Sequence, residues 1–161
     1  MVERALRAQD ADQPILLDRR AGLLAQRGQP RAARIGLERL WHLGHRSEDL
    51  ALRLVELARL TQPPRAAQHW LALAGTGDRA CLARIEDLRS QGRPRRALDL
   101  LQPLMAGRDG PASFLYRREA AIWRDIGRLD RARDILRSML RRHPKDGKAR
   151  VDLIRVLRAM G

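Results

Sequence analysis

The sequence predicts an all-α chain, a solenoid of antiparallel helix hairpins, and three observations carry that prediction. Ala, Leu and Arg dominate while aromatics make up only 3%, and the dominant residues lose little side-chain freedom in a helix. Four turn-like stretches align with one another: QRGQPRAA at 26–33, LTQPPRAA at 60–67, SQGRPRRA at 90–97 and DIGRLDRA at 125–132. Their alanines, Ala33, Ala67, Ala97 and Ala132, fall 34, 30 and 35 residues apart, close to the length of one helix-turn-helix unit.

Each stretch reads as a stop followed by a start. Gly28, Gln62, Gly92 and Gly127 end one helix, and Pro30, Pro64 and Pro94 open the next two residues later, where the first turn tolerates a missing N–H. Gly161 would open a fifth turn. The shorter second interval predicts a trimmed helix ending near Gly75. With 161 residues and 44% apolar content, the chain has enough material for a continuous core.

Apolar residues three, four and seven apart share one helix face, which predicts the packing of each hairpin. Leu16, Leu23 and Leu24 are expected against Leu37 and Leu40, and Leu50, Leu54 and Leu57 against Leu71. Further on, Ile85 and Leu88 are expected against Leu98, Leu101 and Leu104, then Leu115, Ile122 and Trp123 against Ile135, Leu136 and Met139. Alanine at the crossing points lets backbones approach. Trp41, Trp70 and Trp123 stand at helical spacing, which assigns them to packing instead of ligand stacking. Cys81 takes a packing position, and as the single cysteine it excludes a disulfide framework or a cysteine metal site.

The formal charge is +14, from 33 basic and 19 acidic residues, with Lys145 and Lys148 the two lysines. Such an excess steers acidic partners. Residues 113 to 161 carry 14 basic and 6 acidic residues, so the excess concentrates in the last third. Catalysis requires a convergent set of groups, and none is apparent. His42, His45, His69 and His143 lack zinc-site spacing, no glycine-rich loop cradles phosphate, and Glu119 reads as a salt-bridged or exposed acid. The expectation is therefore no catalytic residue, no metal and no cofactor. No apolar run approaches the roughly 20 residues that cross a bilayer, and the opening MVERALRAQDADQ lacks a signal-peptide layout.

These spacings resemble the tetratricopeptide repeat family, whose hairpins carry a small residue near position 8, glycine near 15, alanine at 20 and proline near 32. The small site reads Ala21, Val55, Ile85, Ala120 and Ile154, and the large site three further on reads Leu24, Ala58, Leu88, Trp123 and Leu157. The late proline matches at Pro144 alone, and the usual Trp-Leu-Gly signature is absent, so the resemblance is to a fold with no subfamily attached. In that frame one array spans 1–161. A preceding helix leaves its tail at 1–13, repeats run 14–47, 48–77, 78–112 and 113–146, and a lone first helix occupies 147–161.

The resemblance implies a right-handed superhelix whose first helices line a concave groove. Its position 12 reads Ala25, Arg59, Arg89, Arg124 and Arg158, while Arg117, Lys148 and Arg155 fall on other groove positions. Arg59, Arg89, Arg117, Arg124, Lys148, Arg155 and Arg158 are thus the candidate partner-binding residues. Glu56 and Glu86 precede Arg59 and Arg89 by three, a spacing that forms local ion pairs worth about 0.2–0.5 kcal/mol, which leaves the C-terminal half as the preferred docking region.

The implied role is a non-catalytic scaffold docking an acidic protein or peptide. The charge also admits a rival, an RNA or single-stranded DNA binder in which Phe114 and Tyr116 stack bases. Arginine-rich arrays resemble the periplasmic repeat regions of exopolysaccharide export systems such as the Pel outer-membrane exporter, which implies recruitment of a polysaccharide-modifying enzyme; a cytoplasmic regulator or assembly factor is the alternative. Unfinished hairpins at both ends predict continuation of the chain or self-association through the repeat ends.

Overall fold

The computed structural model describes residues 14–106 and 112–161. The helix tail expected at 1–13 lies outside the described residues. Nine α-helices occur among the described residues: α1 (Pro14–Gln26), α2 (Pro30–His42), α3 (Glu48–Thr61), α4 (Pro64–Leu73), α5 (Asp78–Ser90), α6 (Pro94–Ala106), α7 (Ser113–Asp125), α8 (Leu129–Arg142) and α9 (Gly147–Met160). They pack as sequential antiparallel pairs, in agreement with the all-α expectation.

The turns form where the aligned stretches place them, by one repeated hydrogen-bond pattern. After α1 the amide of Gly28 donates to the Ala25 carbonyl and that of Gln29 to Leu24; Gly92 with Arg93 and Gly127 with Arg128 repeat this on Arg89, Leu88, Arg124 and Trp123. This is the two-bond C-terminal cap whose pivotal residue adopts the left-handed conformation. The three glycines do so, with φ of 71°, 69° and 86°. Gln62 ends α3 differently, in an extended conformation with its amide on the Ala58 carbonyl, because Pro63 and Pro64 follow directly. Pro30, Pro64 and Pro94 each occupy the first position of their helix. The α4 helix is the trimmed one: it has 10 residues, and Gly75 follows at φ 81°.

The chain divides into two compact units, Met1–Ala80 and Cys81–Gly161. In the first, α1 packs on α2, α2 on α3 and α3 on α4. Gly36 faces Ala21, where an added Cβ would lie 3.6 Å from the alanine methyl, so small residues on both helices allow the close crossing. Leu50, Leu54, Leu57 and Leu71 are buried as expected, and Ala33 and Ala67 lie at the crossing points. The first helix differs. Leu16 and Leu23 are exposed while Leu17 and Ala21 are buried, so the inward stripe runs through 17, 21 and 24 and the predicted phase was one residue early. Trp41 and Trp70 are both buried and meet edge to face, ring centroids 5.5 Å apart.

In the second unit the hairpin cores are offset from the predicted pairing. Ile85, Ala97, Leu101, Leu115 and Ile122 form one cluster, with Leu88, Leu98 and Leu104 against it; Ala120, Ala132, Leu136, Met139, Ala149 and Val156 form the next, joined by Tyr116, Trp123 and Ile135. Leu115 and Ile122 therefore face back toward α5 and α6, away from α8 where the sequence reading put them. A first helix between two hairpins needs two apolar faces, and α7 supplies them with Leu115 and Ile122 on one side and Ala120 and Trp123 on the other. Trp123 and Cys81 are half-buried instead of fully enclosed. Asp146 starts α9 by accepting the Ala149 amide at 3.0 Å. That bond is the main reason its carboxyl sits below the usual range, with the Ser113 hydroxyl and Arg117 adding to it.

Candidate functional site

The second unit brings four of the seven candidate residues together. Arg89 on α5, Arg117 and Arg124 on α7 and Arg155 on α9 line one pocket of about 480 Å³. Arg118, not among the candidates, and Phe114, named from sequence only as a base-stacking residue of the nucleic-acid alternative, line it too. Helical geometry explains the grouping: the apolar positions of α7 and α9 are committed to the two cores, so the arginines between those stripes point to the remaining side. Lys148 lies in an adjoining pocket with Lys145, Arg117 and Arg155. Arg158 is exposed in the last turn of α9 and does not line either pocket. Arg59 is exposed on α3 of the other unit.

The lining arginines stand among carboxylates, of which the sequence names Glu86 as a partner but not Asp125 or Asp152. Arg89 pairs with Glu86 on its own helix at 2.9 Å, the local pair expected from sequence, and also with Asp125 at 2.7 Å. Arg118 reaches Glu86 at 2.9 Å and Arg117 reaches Asp152 at 2.9 Å. Arg124 pairs with Asp125 at 3.3 Å, and Arg155 with Asp152 at 3.4 Å. Several of these pairs join residues about one repeat apart in sequence, 32 to 36 positions. The first unit has the same device, with Arg53 on Asp18 and Arg79 on Asp49. A search for Arg and acid residues separated by one period, and not by one helical turn, would have found the pattern.

The degree of engagement grades the candidates. The Arg89 side chain is 15% exposed and Arg117 27%, whereas Arg124 is 39% and Arg155 65% exposed. Arg89 and Arg117 therefore hold neighbouring helices in register, and Arg124 and Arg155 offer the more accessible guanidiniums. Phe114 is exposed at the same pocket and adds an apolar contact to a cationic wall.

Glu119, expected as a salt-bridged or exposed acid, is not exposed and makes no salt bridge among the described residues. It is half-buried on α7; desolvation raises its carboxyl pKa above the ordinary value of 4.5, and the polar edge of the nearby Trp123 indole opposes the rise in part. A raised carboxyl pKa makes the charged form costly in the folded state. That cost is fully present above the folded-state pKa, fades as pH falls through it, and is gone below the ordinary value. Glu119→Gln, which keeps the side-chain shape without the charge, is expected to raise the melting temperature by roughly 2 °C at pH 7. Thermal melts repeated near pH 4 should show the gain disappear.

Among the described residues no group of three or more His, Cys, Asp or Glu side chains is placed to hold a metal ion. None of the described helices is long and apolar enough to cross a membrane. No family model and no curated protein matches the sequence. Solved structures do match: the crystal structure of MamA, a tetratricopeptide repeat protein, aligns with a TM-score of 0.68 at 17% identity, covering 91% of this chain and 81% of that one. At that identity the likeness is one of fold.

Proposed function

We propose that this chain is a non-catalytic scaffold that docks an acidic protein segment on the first-helix face of residues 81–161. One observation carries the reading: five guanidiniums and the exposed Phe114 converge on a single pocket. Guanidiniums bind carboxylates through planar paired hydrogen bonds, and each has five donors, so a carboxylate already bound leaves capacity for another. The tetratricopeptide-like fold supports a protein partner. The resemblance to exopolysaccharide exporters rests on arginine-rich composition, and no contact in the fold adds to it.

The test is binding of a labelled peptide of net negative charge that carries both glutamate and lysine, followed by anisotropy at about 150 mM salt. Reversing the two most accessible charges, Arg124→Glu with Arg155→Glu, is expected to weaken binding about 10-fold or more, since each reversal places like charge against the ligand. Asp125 and Asp152 would lose a partner each, so circular dichroism must show the helices intact. Equal affinity in the two proteins removes the groove from the function.

A further inference from the structure

The groove carboxylates have a placement that a simple basic track would not need, for each accepts from two guanidiniums. Glu86 lies between Arg89 and Arg118, at 2.9 Å from each. Asp125 lies between Arg89 at 2.7 Å and Arg124 at 3.3 Å. Asp152 lies between Arg117 at 2.9 Å and Arg155 at 3.4 Å. Positive and negative groups thus alternate across α5, α7 and α9, and the Glu86 side chain remains 48% exposed, within reach of a ligand.

The alternation decides which polymers the face accepts. A nucleic acid strand carries a negative charge at every nucleotide, and counterion release drives its binding in proportion to the phosphates neutralised. Laid along this face, its phosphates meet three carboxylates set among five guanidiniums, each of them already shared with a carboxylate. A protein segment bearing both signs has no such conflict: its acids meet Arg124 and Arg155 while its basic residues meet Glu86 and Asp152. Like-charge juxtaposition is a general means of rejecting the wrong partner.

Resting on the docking reading above, we propose that Glu86 and Asp152 are specificity residues that hold the groove to protein segments of mixed charge and reject uniformly anionic polymers such as RNA. The pairs they make between helices remain structural contacts as well. The proposal concerns what their negative charge excludes.

The experiment compares the wild type with Glu86→Gln/Asp152→Asn and with Asp99→Asn/Asp134→Asn, which makes the same net charge change at exposed positions on α6 and α8, away from the groove. Each protein is titrated against labelled oligouridine and against a labelled peptide of alternating glutamate and lysine, over a range of salt. Amide replacements keep side-chain shape, and thermal melts confirm folding. The groove variant is expected to bind oligouridine roughly 10-fold more tightly than wild type with a steeper salt dependence, because more phosphates are engaged. It should also lose affinity for the mixed-charge peptide, while the control pair shifts RNA binding less than about 2-fold. An equal RNA gain in both variants, or none in the groove variant, overturns the proposal. If the wild type binds no acidic or mixed-charge peptide while the groove variant still gains RNA, the docking reading falls and the exclusion of polyanions stands.

Discussion

Ile122→Ala is expected to destabilise the second unit by about 2–5 kcal/mol, the range for emptying a fully enclosed aliphatic site. Ile122 is 0% exposed and belongs to the cluster with Ile85, Ala97, Leu101 and Leu115. Its loss opens a cavity where α7 meets the preceding hairpin, the contact that the simple hairpin-by-hairpin pairing assigned to the other side. Ile154→Ala, at a site 49% exposed, should change stability by no more than about 0.5 kcal/mol. Urea unfolding followed by helical ellipticity measures both, and an unchanged denaturant slope would show that stability and not denatured-state compactness has moved. A cost below 1 kcal/mol at Ile122, or an equal cost at the two sites, would mean that α7 does not turn this face inward.

The contrast between those isoleucines also shows what periodicity conveys. The turns were legible because their chemistry is local. Gly28, Gly92 and Gly127 are needed where φ is positive, and Pro30, Pro64 and Pro94 suit a helix's first position wherever the rest of the chain goes. The alanines were legible for a similar reason, since Ala33, Ala97 and Ala132, each 0% exposed, mark crossings that a larger side chain would push apart. The facing of α7 was not. Leu115 and Ile122 lie on one stripe and Ala120 and Trp123 on another, and a helix that is apolar on two sides gives no local sign of which side belongs to which neighbour. The one-residue phase error in α1 has the same origin: Ile15, Leu16 and Leu17 are three consecutive apolar residues, and only tertiary contact selects Leu17.

At the candidate site the cations were easier to foresee than the anions. Arg89, Arg117, Arg124 and Arg155 follow from the repeat frame, and they do share one pocket. Their partners across the repeat do not follow from helix-turn spacing, because Asp125 and Asp152 are reached through space from the adjacent first helix. Composition exaggerates the field for this reason. The overall excess of positive charge describes the chain, whereas a ligand in the groove meets guanidiniums already shared with carboxylates. Steering at long range follows the total charge; recognition at contact follows the alternation.

Trp70→Ala should be the most damaging substitution in the first unit, at about 3–5 kcal/mol, for reasons that combine short-range order with packing. The α4 helix has only 10 residues, too few to be stable by propensity alone, so its persistence depends on the face it buries: Ala67, Trp70 and Leu71. Trp70 is the largest of these, and its edge-to-face contact with Trp41 adds about 0.5–1.5 kcal/mol beyond the area it covers. Truncation should therefore release α4 from α3, lower the helical signal on heating before the second unit responds, and shift the remaining Trp41 emission to longer wavelength as water reaches its ring. Trp123→Ala provides the comparison, because that side chain is only half-buried and its loss should cost less. Were Trp70→Ala to leave stability intact while weakening ligand binding, the tryptophans would be stacking platforms after all, and the core assigned to the first unit would have to be redrawn.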